Sequence, residues 1–446
     1  MNKPNFNTVI WILAAVAVAG LGVYLVKTQN SLPEDIVQLR WSTDANPMRQ
    51  IVIKEFEKSH SGIHVYTDPN AGMDTLLTQL AGNVPPDIMT LYDIESFRRL
   101  VRLNQVEELT PYLNKYNISA DQFRPEIYDY IYPSKDDHRV FGVTENAGPL
   151  CLIYNKDVFD RFHVPYPTND MTWDDVLETA KKLTSYKTVN GRQVPETKGL
   201  YVYEEPQVYV RMFGGSIFTP DGKKCVINSP EAVKGLTYFS DLRMKHRVMP
   251  TSSEAESMVS IGGWSAANMM LVQGKVAMMV HGRFLLVQLR DYYSKGLRIG
   301  MARFPKSECP CNLLLSKCYT VAKSSKHKDE AAMFLSFLLE NENQKRIVDY
   351  GDGWSSVKNP ELDAYSAFNP KYPNEDCNTE LLKDFEDARM PEISPYINFV
   401  DFNNIWKREV DRVWDKQITM KQCCDNVAKD VNKIIERNIA NPNFMN

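Results

Sequence analysis

The chain has 446 residues, 52 Lys+Arg against 56 Asp+Glu, a formal net charge of -4, 43% hydrophobic residues and 11% aromatics. At ~100–200 residues per domain that length calls for two or three domains and a large core. The near-even charge excludes a generally basic nucleic-acid binder, and ordinary glycine (21) and proline (25) exclude collagen-like and low-complexity classes.

The compositional exception comes first in the chain. Val9–Val26 (VIWILAAVAVAGLGVYLV) carries no charge and lies between Lys3 and Lys27. A bilayer span needs ~20 apolar residues, whereas the apolar core of a signal peptide has ~7–15. The length leans toward an uncleaved anchor, while Ala15-Val16-Ala17 and Ala17-Val18-Ala19 offer the small-x-small pattern of a cleaved signal. Either reading sends Leu32–Asn446 across a membrane, and 1–32 forms a segment and linker apart from the folded chain. The eight cysteines are then expected to meet an oxidising compartment, with one to three disulfides of undeducible pairing. One thiol of the vicinal Cys423-Cys424 is expected to face the core.

From Ile36 onward short apolar runs alternate with helical patterns, the mark of an α/β fold. Ile36–Trp41 reads as a strand, and Asn46-Pro47 caps a helix carried by Met48, Ile51, Val52 and Phe56. Gly62–Thr67, Met73–Ala81 and Asp87–Leu91 read as strand, helix and strand. These units suit a wound, largely parallel sheet, whose ligands approach the carboxyl ends of the strands. Asp44 and Tyr92-Asp93 stand at those ends. Val140–Thr144 and Pro149–Tyr154 read as two strands joined through Glu145-Asn146-Ala147-Gly148, which suits a crossover between domains. Thr172–Asp175 has the order of a capping box, Pro220-Asp221-Gly222 that of a hairpin turn, and Ser229-Pro230-Glu231 opens another helix. Lys275–Val280 reads as a buried strand, Leu297–Phe304 as a second crossover, Asp329–Glu340 as an apolar helix, and Asp401–Arg437 as helical throughout.

Catalytic signatures are missing from the sequence. It contains no GxSxG, HExxH, P-loop or GxGxxG motif, and its seven histidines are scattered. A glycosidase needs only two carboxylates ~5–9.5 Å apart, so a glycoside-acting enzyme stays as an alternative. A membrane-tethered sensing or adhesion module without transport is another.

The order of segments resembles the extracellular solute-binding proteins of ABC transporters, in the branch of the maltose and oligosaccharide binders. Met73–Tyr92 (MDTLLTQLAGNVPPDIMTLY) is similar to that family's helix, proline turn and strand. Val140–Leu183, with Tyr154-Asn155-Lys156-Asp157 and Thr172-Trp173-Asp174-Asp175, is similar to its crossover, "YNKD-F" segment and "TWDEL" helix. Phe213–Val233, Gly274–Phe284 (GKVAMMVHGRF) and Tyr319–Arg346 resemble three further segments in the same order. The resemblance implies a two-lobed periplasmic-binding-protein-like fold (type II), with 33–145 plus 302–340 in one lobe and 146–301 plus 341–446 in the other. It implies an extracytoplasmic binder that is no enzyme and uses no cofactor or metal. The expected partners are a carbohydrate or other small polar solute and the transmembrane permease subunits of an ABC importer, with the protein itself a monomer.

The residues matching the family's cleft positions are Asp44, Asp93, Glu145, Asn146 and Trp264. Phe284 stands where the family carries tryptophan, and Arg283 replaces a small residue or proline, which would favour an acidic sugar. Trp354, loop-borne after the two glycines of Gly351-Asp352-Gly353-Trp354, completes the ligand-binding set. Aromatic faces for sugar C–H surfaces and carboxylates or amides for hydroxyls are what such a site needs.

Overall fold

The computed structural model describes residues 36–441, apart from 70–71, 135, 204, 260–263 and 377–378. Val9–Val26 lies outside the described residues, and among those described no helix is long and apolar enough to cross a membrane.

The chain builds two sheets. The first has the order β10-β3-β1-β2, from β1 (Val37–Thr43), β2 (Ile63–Pro69), β3 (Ile88–Leu91) and β10 (Cys318–Val321). β1 runs parallel to both neighbours, and β10 closes the edge antiparallel to β3. Asn46 caps α1 (Pro47–Ser59) by accepting from the Met48 N–H at 2.9 Å, with Pro47 in the first turn where no donor is missed. Trp41 is fully buried between the edges of Tyr319 and Phe334, and its indole N–H donates to Thr90 Oγ1 at 3.1 Å.

The second sheet is built on β4 (Asn146–Asn155), a strand buried along its whole length. β4 is antiparallel to β7 (Val276–Gly282), β8 (Ile299–Ala302), β9 (Asn312–Ser316) and the two-residue β11 (Trp354–Ser355). Outside β7 lie β6 (Arg192–Val202) and β5 (Ser185–Val189). This sheet is mixed, whereas β1, β2 and β3 of the first sheet have the parallel winding expected of them. On one face of β4 and β7, Leu150, Leu152, Met278 and Val280 belong to the same core as the buried residues of α7 (Phe399–Trp414) and α8 (Met420–Ile439), while Cys151, Ile153 and Met279 join the core on the other face.

Four expectations are corrected. Val140–Thr144 is no strand: it runs between the sheets and pairs only at the bridge Val143–Tyr319. Leu297–Phe304 is no crossover, because β8 pairs with β4 inside the second sheet, and the chain returns to the first at Lys317, between β9 and β10. The C-terminal helix breaks after Trp414, where Lys416 takes φ 59° and Thr419 opens α8 with a capping box on Gln422. The seven described cysteines are all free, and Cys423 and Cys424 are both fully buried as small apolar groups. Cys377 lies outside the described residues.

Candidate functional site

The carboxyl ends of β1 and β3 meet at the gap between the lobes, as the rule for wound sheets requires. Asp44 follows β1 with its side chain 35% exposed, and the Tyr92 phenol, exposed beyond β3, donates to its Oδ2 at 3.2 Å. Asp93 has a local task. It caps α3 (Ile94–Arg102), accepting from the Ser96 N–H and Oγ–H at 2.7 Å each. Burial raises its carboxyl above the ordinary range, although the bonds from Ser96 pull the other way. Asp93→Ala is expected to lower stability by about 1 kcal/mol through loss of the cap, with Asp93→Ser recovering most of the melting temperature.

Behind Asp44 lies a buried charge network that joins both crossings. Arg49, on α1 and 1% exposed, donates to Asp44 at 3.0 Å, to Asp352 at 3.1 Å and to Glu145. Lys317 stands 3.3 Å from Glu145, 3.6 Å from Asp352 and 3.7 Å from Asp44. The Tyr319 phenol donates to Glu145, and Asn46 Nδ2 donates to Asp352 Oδ1 at 2.9 Å. Asn146 gives its amide N–H to the Asp352 carbonyl, and β11 pairs with Asn146 and Ala147 directly beyond. Burial would raise the Asp44 carboxyl, but Lys317 and Arg49 outweigh it and hold the group well below the usual carboxylate range. The carboxylates and Tyr319 in turn hold Arg49 charged against the pull of burial. Glu145 sits on the first crossing and Lys317 on the second, so the segments on which the lobes would turn are tied electrostatically to the strand end that bears Asp44.

Arg283 and Trp354 come together elsewhere. Arg283 is 1% exposed, lies with its guanidinium 4.5 Å over the ring of the buried Trp354, and gives one N–H to the Ser366 carbonyl at 3.0 Å. Phe284 is half-buried and meets His281 edge-on at 5.2 Å, and His281 meets Tyr203 at 5.0 Å. Burial lowers His281 to about 4, so its ring is neutral at pH 7, and its Nδ1 accepts from the Gly282 N–H. Trp264 opens the helix Trp264–Val272, but its side chain lies outside the described residues. Asp44, Glu145 and Asn146 are therefore united in one network, Arg283 and Trp354 in a second contact, and Asp93 stands apart as a cap.

Three members of the charge network escaped the sequence reading. Arg49, Lys317 and Asp352 complete the network, and only Gly351 (φ 84°) and Gly353 (φ 105°) around Asp352 gave a local signal. Elsewhere, Glu205 Oε1 is buried without a hydrogen-bond partner among the described residues, and burial pushes this carboxyl up to about 7. Further along the gap, α3 of the first lobe faces the Pro220–Gly222 turn, Ile393 and Pro395 of the second across a cavity of about 220 Å³.

Residues 41–345 match the family described as bacterial extracellular solute-binding protein. A curated relative, the sn-glycerol-3-phosphate-binding periplasmic protein UgpB of Escherichia coli (strain K12), is 21% identical over 371 residues, covering 80% of this chain and 81% of its own. Among solved structures, an ABC substrate-binding protein of Listeria monocytogenes in complex with cycloalternan is similar at a TM-score of 0.76 and 23% identity, covering 90% of this chain and 100% of its own. The maltose-bound MalE3 of T. maritima is similar at 0.70 and 20%, covering 89% and 100%. These likenesses establish the two-lobed periplasmic-binding-protein fold expected from the segment order. With a match over more than half of its length, the chain belongs to the family of bacterial extracellular solute-binding proteins.

Proposed function

We propose that this protein captures a sugar or oligosaccharide outside the cytoplasm and delivers it to the transmembrane permease subunits of an ABC importer. The observation that carries the reading is the family match over a fold whose two sheets are joined by buried crossings, with strand ends opening on the gap between them. Neighbours solved with cycloalternan and maltose support a carbohydrate as the solute. In this reading the lobes are 33–145 with 302–340 and 146–301 with 341–446, and the change of sheet at Lys317 favours moving the second boundary from 302 to about 317. Asp44, Trp264 and Phe284 contact solute, Glu145 and Asn146 set the hinge, Asp93 holds α3, and Arg283 and Trp354 support the wall beside β4. Solute contacts that exist only with both lobes closed shift the population to the closed form, and no catalytic step is asked of the protein. The protein acts as a monomer, held at the membrane by Val9–Val26 or released by cleavage there.

A thermal-shift screen over a carbohydrate library tests the reading, because a ligand that binds only the native state at 100 times its Kd adds about 2.7 kcal/mol of stability. At least one sugar is expected to raise the melting temperature by several degrees. A flat response to all sugars at millimolar concentration would remove the carbohydrate reading.

A further inference from the structure

Helix α3 presents two faces. Ile94, Phe97 and Leu100 go into the core, while Glu95, Arg98 and Arg102, spaced three and four residues apart, line the cavity between the lobes. The second lobe contributes Pro220, Asp221, Gly222, Ile393 and Pro395. At about 220 Å³ the space falls below the ~300–1,000 Å³ of drug-sized sites, enough for one ring-sized group.

Each guanidinium of this cavity has a carboxylate in reach, Asp129 for Arg98 and Glu95 for Arg102, but neither has all of its donors engaged among the described residues. Arg98 gives Nη2 to Asp129 at 2.6 Å, and its Nε has no hydrogen-bond partner among the described residues. Among the described residues Arg102 meets the Glu95 carboxylate alone, at 3.6 Å, too far for a hydrogen bond. Burial, aided by Asp93, pushes Glu95 up to about 7 against the pull of Arg99 and Arg102, so near neutral pH about half of its charge is gone. Asp221, on the facing turn, is engaged by the Thr219 hydroxyl at 2.7 Å and the Lys223 N–H at 3.1 Å. Two guanidiniums thus line a partly open space beside two carboxyls, Asp221, which its bonds keep ionised, and Glu95, whose charge burial disfavours. Fork-shaped donors of this kind favour planar or tetrahedral oxyanions.

We propose that this cavity takes an anionic oxygen group of the solute, a carboxylate, sulfate or phosphate, so that the captured carbohydrate is an acidic one. The inference rests on the carbohydrate reading for the body of the solute, while the anion site stands on Arg98, Arg102 and Glu95. Because the cavity is walled by both lobes, closure over the solute buries the anion between α3 and the Pro220–Gly222 turn and adds selectivity for the closed state.

Calorimetric titration of the full chain with two matched pairs, digalacturonate beside galactobiose and glucose 1-phosphate beside glucose, tests this, with inorganic phosphate and sulfate as separate arms. In at least one pair the acidic member is expected to bind at least tenfold tighter. Arg102→Gln is expected to lose that preference by tenfold or more with neutral binding unchanged, and Arg102→Lys to keep part of it. Arg98→Gln gives a second reading should Arg102→Gln unfold, and the melting temperature of each variant separates lost binding from lost fold. Equal or tighter binding of both neutral members, or an intact acidic preference in the folded variants, overturns the anion site and leaves the carbohydrate reading standing. Binding of phosphate or sulfate alone keeps the anion site and removes the carbohydrate reading, and no binding in any arm overturns both.

Discussion

Arg49→Met is expected to lower the unfolding free energy by about 3–5 kcal/mol, read as a fall in the urea midpoint at unchanged slope. Arg49 is 1% exposed and serves Asp44, Glu145 and Asp352, of which Glu145 is fully buried and Asp352 nearly so. Removing it leaves three carboxylates facing Lys317 alone, and an uncompensated buried charge is what makes such losses large. Surface pairs are worth far less: Lys407→Met, which breaks the exposed contact to Asp411 at 2.7 Å, should change stability by about 0.5 kcal/mol or less. Glu145→Gln in the Arg49→Met background should restore part of the loss, because it removes the most buried of the stranded charges. A loss under about 1 kcal/mol for Arg49→Met would mean that water or relaxation compensates the carboxylates, and the network would then no longer explain how the two crossings are held.

That network marks the limit of what the sequence made legible. Strand ends were readable because apolar alternation stops where Asp44 and Tyr92-Asp93 begin, and the caps Asn46 and Thr172 are local chemistry. Glu145 and Asn146 could be placed on a crossing because small residues join two apolar runs there. Their partners could not be found that way. Arg49 lies 96 residues before Glu145 and reads as one more polar position on an amphipathic helix, while Asp352 is 303 residues from Arg49. The second crossing was misplaced for a related reason. Leu297–Phe304 and Asn312–Val321 are both apolar extended runs that pair with β4, and only the pairing of β10 with β3 decides that the second of them carries the chain back to the first sheet. Trp354 looked loop-borne after two glycines, yet those glycines let the chain turn sharply enough to lay β11 on β4, which buries the ring under Arg283. Glu95 showed nothing beyond a first-turn acid, because its environment comes from the opposite lobe.

Stability is expected to fall on the order of a few kcal/mol as pH rises from about 5 to 7.5, the reverse of the usual acid sensitivity. Burial, with Asp93 beside Glu95, pushes Glu95 and Glu205 up to about 7, and burial pushes Asp384 up to about 6 against the opposing bonds from the Phe304 N–H and Arg303. In the unfolded chain such carboxyls ionise near ~4. Between those values the folded chain holds protons that the unfolded chain has released, so their contribution is complete below pH ~4 and is lost as pH rises through 6 to 7. His281 works the other way. Burial lowers it to about 4, so its contribution is present above the unfolded value of ~6.5 and is lost as pH falls. His246, also lowered by burial, adds to His281, but three carboxyls against these imidazoles leave the net slope negative, and above pH ~6.5 the imidazoles no longer oppose it. Asp44, held low by Lys317 and Arg49, changes this balance only in stronger acid. Urea midpoints at pH 5.5 and 7.5 measure the effect, with the higher midpoint expected at pH 5.5. The double variant Glu95→Gln, Glu205→Gln should flatten most of the difference, since amides carry no proton to lose. A wild-type midpoint that is level or higher at pH 7.5 would mean that the open gap hydrates these carboxyls, and Glu95 would then be fully charged beside Arg102.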